Sequence, residues 1–258
     1  MKPMTDVCTQ PRIRLLGGFR LDCAHHPVHV APGVRRFLAL LALQEIPIER
    51  SAAAAVLWPE TTARRAAACL RSTLWRLVKP AELLVESSED MLALSSCVEV
   101  DFRHARRLVA AATPGRLPDD SAVALLQADL LPGWGHDWVR TEQDWWRQAR
   151  LRALEALSRR LWSSGDRDQA CLAAMAAVRA DPLRESAHRT LVELHIADGN
   201  PAAAVRQYTA YRVRLRDELG LEPSPQFHEL VHPMLTGASA PGTARNATHH
   251  PRRMSHKR

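Results

Sequence analysis

The sequence has no long apolar run. No stretch of its 258 residues approaches the roughly 18 uninterrupted apolar residues of a membrane helix, and Met1 to Cys8 lacks the apolar core of a secretory signal. A cytoplasmic protein without membrane contact is expected. Cysteine is sparse: Cys8, Cys23, Cys69, Cys97 and Cys171 are odd in number, lie far apart and never form a CxxC pair. That pattern argues against a disulfide framework and against a zinc knuckle, and leaves reduced thiols. The signatures of the common enzyme sites are missing too, with no GxGxxG, Walker loop, HExxH or GxSxG. Gly17-Gly18 and Gly133-Trp134-Gly135 lack the spacing and the strand-to-helix context that would cradle a phosphate. The histidines are scattered, and the two small groups, His25-His26 with His29 and His249-His250, have no carboxylate or thiolate partners at ligand spacing. No catalytic residue, cofactor or functional metal site is expected.

What is present is length and focused charge. A chain of this size with 46 % hydrophobic residues can build two ordinary domains, each with its own core. The formal charge of +7 suggests an anionic partner, but its placement says more than its sum. Residues 1–102 carry 12 basic and 11 acidic side chains, residues 103–236 carry 18 and 17, and residues 237–258 carry 5 and none. The excess sits in two places. One is Thr61 to Lys79, which holds Arg64, Arg65, Arg71, Arg76 and Lys79 and no acid. The other is the tail from Gly237, rich in Gly, Ser, Thr, Pro and Arg, which reads as disordered.

Along the chain the hydrophobic period changes twice. RIRLLGGFRLDC (12–23) and PVHV (27–30) fit a short opening sheet broken at Gly17-Gly18. From Gly33 to Gln44, Val34, Phe37, Leu38, Leu41 and Ala42 recur at helical spacing before Pro47. Glu49 to Trp58 predicts a second helix, and Thr61 or Thr62 can cap a third that runs to Val78 before Pro80. LLVE (83–86) and MLALSS (91–96) predict a hairpin, with VEVDF (98–102) as a closing strand. Strand, three helices and a hairpin after the most basic helix is the layout of an α+β winged helix-turn-helix.

The third helix separates its faces. At about 100° per residue from Leu70, the side chains of Leu74, Leu77, Ala66 and Ala67 fall within about 60°, while Arg64, Arg65, Ser72, Arg76, Lys79 and Trp75 fall on the opposite arc. Such a helix fits the major groove, where Arg reads guanine bidentately and Lys or Ser holds phosphate.

From Phe102 to Leu235 the pattern is nearly all helical, with pieces over roughly 103–112, 119–128, 142–163, 167–180, 184–198, 201–219 and 224–235. GDRDQA (165–170) recurs as GNPAAA (199–204), a period of 34 residues in which Leu157 matches Leu191, Ala170 matches Ala204 and Ala177 matches Tyr211. This is the spacing of tetratricopeptide-like repeats, an all-α domain whose stacked helix pairs form a protein-binding or self-associating surface. Trp134, Trp138, Trp145, Trp146 and Trp162 are concentrated at its front half and are expected mostly in packing.

IRLLGGFRL, RRFLALLAL, LWPE, ARRAAACLRSTLWRLVK, LLPGWGHDWV, RQARLRALEAL and above all the segment ending in DELGLEPSP together resemble the Streptomyces antibiotic regulatory protein family. Members of that family join an OmpR-type winged helix to a bacterial transcriptional activator domain, and the resemblance covers about residues 12–235. It implies an activator that binds direct repeats in double-stranded DNA near promoters and contacts RNA polymerase, with two protomers head to tail as a homodimer on DNA. Carried over by position, the DNA-binding residues are Arg64, Arg65, Arg71, Ser72, Arg76 and Lys79, with Arg71 nearest the core boundary. Trp75 has two readings: packing across to the wing or the activator domain, which is the expectation, or stacking on DNA. The division expected is a disordered 1–11, a winged helix over 12–102, the activator domain over 103–235 and a disordered basic tail over 236–258. Two departures stand out: SAAAAVLW makes a second helix with little apolar area, and the hairpin lacks the family's glycine-tyrosine turn, so minor-groove contact by the wing is not expected. An alternative keeps the fold and makes the winged helix a degenerate docking surface of an interaction scaffold.

Overall fold

The computed structural model describes residues 10–24, 26–77, 84–111 and 120–236. The chain divides into two compact units, with the division between Thr190 and Leu191.

The first unit opens with β1 (Arg12–Arg14), β2 (Arg20–Cys23) and β3 (His26–Pro27), followed by α1 (Pro32–Leu43), β4 (Ile48–Glu49), α2 (Arg50–Leu57) and α3 (Ala63–Trp75). A hairpin of β5 (Val85–Ser87) and β6 (Met91–Leu94) follows, then β7 (Glu99–Val100). β1 and β2 pair antiparallel with Ile13 opposite Leu21, and the turn between them uses Gly17 and Gly18 at φ +80° and +127°, values a side chain would resist. β7 runs parallel to β1, giving one sheet in the order β3-β2-β1-β7 and a second in the order β4-β6-β5. The inward positions of both sheets, Ile13, Leu15, Leu21, Leu92 and Val100, are buried with Phe37, Leu38 and Leu41 of α1.

Three local expectations are corrected. Glu49 does not open the second helix but forms with Ile48 a strand paired with Met91 and Leu92; two residues are too few to show an alternation. α3 stops at Trp75 instead of running to Val78, because Arg76 closes it with bonds from its N–H to the Ser72 and Thr73 carbonyls, and Leu77 N–H bonds Leu74 at 3.1 Å, the tighter winding typical of a helix end. Val78 lies outside the described residues. The strand expected over 98–102 is reduced to Glu99–Val100, because the Asp101 carboxylate accepts from Leu15 N–H (2.8 Å), Leu16 N–H (3.1 Å) and Phe102 N–H (2.6 Å) and turns the chain into a helix.

That helix is α4 (Asp101–Ala111), and α5 (Asp120–Gln127), α6 (Asp137–Ser163) and α7 (Arg167–Ala180) follow. α6 starts at Asp137, ahead of the start expected at 142. Two contacts fasten these helices to the opening elements. Arg103 on α4 donates to the carbonyls of Leu41 (2.9 Å), Ala42 (3.1 Å) and Gln44, satisfying the acceptors that the end of α1 leaves without partners. The loop between α5 and α6 lies along the chain just after β1, with Leu131 N–H bonding Leu15 at 2.9 Å and Gly17 N–H bonding Asp129 at 2.8 Å. Side chains of α6 hold that loop. Buried Arg150 donates to Gln127 (3.1 Å) and to the Asp129 carboxylate, the Trp146 indole donates to Ala128 (2.9 Å), and Gln143 donates to Leu130 and Leu131.

α8 (Glu185–Ala197) spans the division between the units; α9 (Pro201–Leu219) and α10 (Pro225–Leu235) belong to the second. The 34-residue repeat is visible bond by bond. Gly165 and Gly199 have φ of +90° and +71°, their N–H groups bond Trp162 and Ile196, and the next N–H groups, of Asp166 and Asn200, bond Leu161 and His195. Asp166 and Asn200 then cap the following helices by accepting from Gln169 N–H (3.2 Å) and Ala203 N–H (3.1 Å). Leu157 and Leu191, Ala170 and Ala204, and Ala177 and Tyr211 are all buried. Within the second unit, DELGLEPSP is a helix end and a helix start: Gly220 at φ +67° ends α9, Arg216 grips Glu222 at 2.7 Å, and Ser224 caps α10 ahead of Pro225.

The fold is a winged helix followed by a tetratricopeptide-like helical region. No described helix is long and apolar enough to cross a membrane, and Cys23, Cys69, Cys97 and Cys171 form no disulfide with one another. Cys8, the tail from residue 237 and most of the segment 1–11 lie outside the described residues.

Candidate nucleic-acid interface

α3 is built from short side chains on its inner face and long cationic ones outside. Ala66, Leu70 and Thr73, at i, i+4 and i+7, are buried, while Ala67, Leu74 and Leu77 are half-buried. Thr73 was not among the expected core positions. It joins the core because its hydroxyl donates to the Cys69 carbonyl at 2.9 Å, which leaves its methyl to pack. Arg64, Arg65, Arg71, Ser72 and Arg76 are all exposed, on the arc the sequence assigned to them, and Arg71 stands in solvent rather than at the core boundary. Lys79 lies outside the described residues.

The start of α3 is unusual for a helix. Thr62 is the N-cap, accepting from Arg65 N–H at 3.4 Å, yet the first turn holds no acid and carries Arg64 and Arg65 where the macrodipole favours negative charge. An anion placed there would satisfy open N–H groups and both guanidinium groups together.

Trp75 is corrected. It is 91 % exposed, so it packs neither across to the wing nor onto the helices that follow. Its direction from Leu70, about 140° at helical pitch, sets it in solvent. A shallow groove of about 490 Å³ separates the end of α3 from β5, lined by Arg50, Leu74, Trp75 itself, Leu77, Val85 and Ser87. Arg50, which the sequence did not single out, ties the wing down: its N–H bonds Asp90 at 2.8 Å and its guanidinium donates to the Ser88 carbonyl at 3.0 Å. The wing's turn is closed by Ser88 N–H to the Met91 carbonyl at 3.0 Å, and Glu86, Glu89 and Asp90 around it are exposed. A hairpin tip with three carboxylates repels phosphate, an electrostatic reason to keep it out of a minor groove beyond its missing glycine-tyrosine turn.

The other tryptophans are mainly packing. Trp146 is buried with its ring edge-on to Phe102 (5.5 Å), Trp134 stacks on Phe19 (6.3 Å), and Trp145 is half-covered beneath Arg106, 4.7 Å from its ring. Among the described residues no group of three or more His, Cys, Asp and Glu is arranged to hold a metal ion.

Comparison with known proteins supplies a context for this arrangement. The bacterial transcriptional activator domain family matches residues 95–235. Regulatory protein AfsR of Streptomyces coelicolor is 29 % identical over 240 residues, which cover 84 % of this chain and 24 % of that protein. The solved structure of Mycobacterium tuberculosis EmbR in complex with a low-affinity phosphopeptide superposes with a TM-score of 0.65 at 20 % identity, over 90 % of this chain and 66 % of that one. The chain therefore spans about a quarter of the length of the first relative and 66 % of the second, and these matches are to a regulator and to an activator family rather than to enzymes. By its matched domain and its winged-helix architecture, the chain belongs to the bacterial transcriptional activator domain family, as a protein of the Streptomyces antibiotic regulatory type.

Proposed function

We propose that the protein is a cytoplasmic DNA-binding transcriptional activator, in which residues 12–102 read double-stranded DNA and residues 103–235 make the protein contacts. The observation that carries this reading is α3 itself: one face buried, the other an acid-free arc of Arg64, Arg65, Arg71, Ser72 and Arg76 in solvent. Lys79 extends the same arc in sequence. α3 lies in a major groove, Arg64 and Arg65 bring its N-terminal end to phosphate, and the acidic wing stays off the duplex. Two protomers sit head to tail as a homodimer on direct repeats about one helical turn apart, and the helical region contacts RNA polymerase. The relative in S. coelicolor is a regulatory protein, which supports this assignment.

The test is selection of binding sites from a random duplex pool near physiological salt, with the wild type and with Arg65→Ala plus Arg76→Ala. The wild type enriches a repeated motif and the double variant does not. On the selected duplex, removing two phosphate-contacting charges lowers the slope of log affinity against log salt by about 0.9 each. If neither protein enriches anything, an interaction scaffold with a degenerate winged helix replaces this reading.

A further inference from the structure

We infer that the line of Ala68, Ser72 and Trp75 along α3 is the part that meets base edges, that it selects duplexes presenting thymine methyl groups on the floor of the major groove, and that the arginines flank it on the phosphate walls. This deepens the DNA-binding reading and rests on it. The three residues are spaced i, i+4 and i+7, so at about 100° per residue they form one line opposite the buried Leu70. Arg64 and Arg71 fall to one side of that line and Arg65 and Arg76 to the other, and all seven side chains are exposed. A helix lying in a groove turns its central line to the floor and its flanks to the walls. The central line here offers a methyl, a hydroxyl and an indole, with no guanidinium, amide or carboxylate to match the paired donor and acceptor patterns of guanine, adenine or cytosine. The apolar group on the major-groove floor is the C5 methyl of thymine.

The state of Trp75 points the same way. Tryptophan is among the most deeply covered side chains on average, yet this one is 91 % exposed, and among the described residues it has no ring or guanidinium partner. Exposed Arg71 and Arg76 near it draw a polyanion, while its inner edge borders the groove with Leu74, Leu77 and Val85. Ala68, seven residues earlier, is small enough to let the helix axis sink toward the bases.

The experiment takes the duplex enriched by the wild type and replaces its thymines one at a time by deoxyuridine, which lacks only the C5 methyl. One or two positions lose about fourfold in affinity, the weight of one buried methyl group. Trp75→Ala, whose side chain supports no packing in the free protein, still binds with the wild-type salt slope but loses that dependence, and Trp75→Phe keeps part of it. The proposal is overturned if no thymine position matters to the wild type, if Trp75→Ala keeps the full deoxyuridine effect, or if a guanine-specific motif is abolished by Arg71→Ala. In these outcomes DNA binding itself stands. Absence of any enriched motif removes both readings.

Discussion

At the scale of single residues, the proposed interface comes at the expense of local stability. Arg65 occupies the third position of α3, where a glutamate would complete a reciprocal capping pair with Thr62. Arg65→Glu is therefore expected to stabilise the free protein by about 0.3–1 kcal/mol in thermal or urea unfolding, while sharply weakening duplex binding. A variant that loses both stability and binding would show that Arg65 supports the fold. Asp101 is the opposite case, a polar residue whose purpose is architectural. Burial pushes its carboxyl above the ordinary range although the N–H groups of Leu15, Leu16 and Phe102 pull it down. Because the folded carboxyl holds its proton more tightly than the unfolded one, its contribution is fully present below the ordinary carboxylate value. It is lost as pH rises through the raised value. Asp101→Asn abolishes this slope and sets an amide N–H against Leu16 N–H, at a cost of about 1–3 kcal/mol. Urea unfolding at several pH values checks both.

Elements were legible in the sequence in proportion to their length. α7 and α9 carry both period and caps, α6 carries period but no side-chain cap at its start and so begins earlier than expected, and α1 is bounded by prolines at both ends. What escaped was short or decided from a distance. β4 exists only because β6 lies beside it, β7 is cut short by bonds from Asp101 to a strand 86 positions earlier, and Trp75 was assigned a packing partner because tryptophans usually have one. In the interface, the cationic arc could be read from a helical wheel; the role of Ala68 could not, since alanine announces neither burial nor exposure. The repeat turns allow a direct test. Gly165 and Gly199 have open space where a Cβ would sit, so the penalty of substitution is backbone strain alone. Gly165→Ala and Gly199→Ala should each cost about 1–2 kcal/mol, and nearly equally, as measured by unfolding midpoints; a large disparity would mean that the two turns are not equivalent.

At the scale of the whole molecule, the helices α4 to α6 and the winged helix are stitched by backbone as well as by side chains. The loop 128–136 supplies N–H and carbonyl partners to Leu15 and Gly17 just after β1, and Arg103 completes α1. A fragment ending at residue 102 therefore leaves Leu15 without its partner at Leu131, removes the guanidinium that satisfies the carbonyls of α1, and uncovers the backbone of residues 15–17 beyond the pairing of β1 with β7. Such a fragment is expected to be less stable by several hydrogen bonds, each about 0.5–1.5 kcal/mol, as urea unfolding would show. A fragment carried through Ala180 retains all of these contacts and keeps α7 over the apolar face of α6, and should recover that stability. The same stitching bears on inheritance. A gene rearrangement that joins a foreign winged helix to this activator region at residue 102 or 103 must also bring a first strand that accepts the LLPGWG loop. Recombination between relatives is thus tolerated only where that loop and that strand travel together, and the two halves of the sequence are expected to have a shared ancestry rather than separate ones.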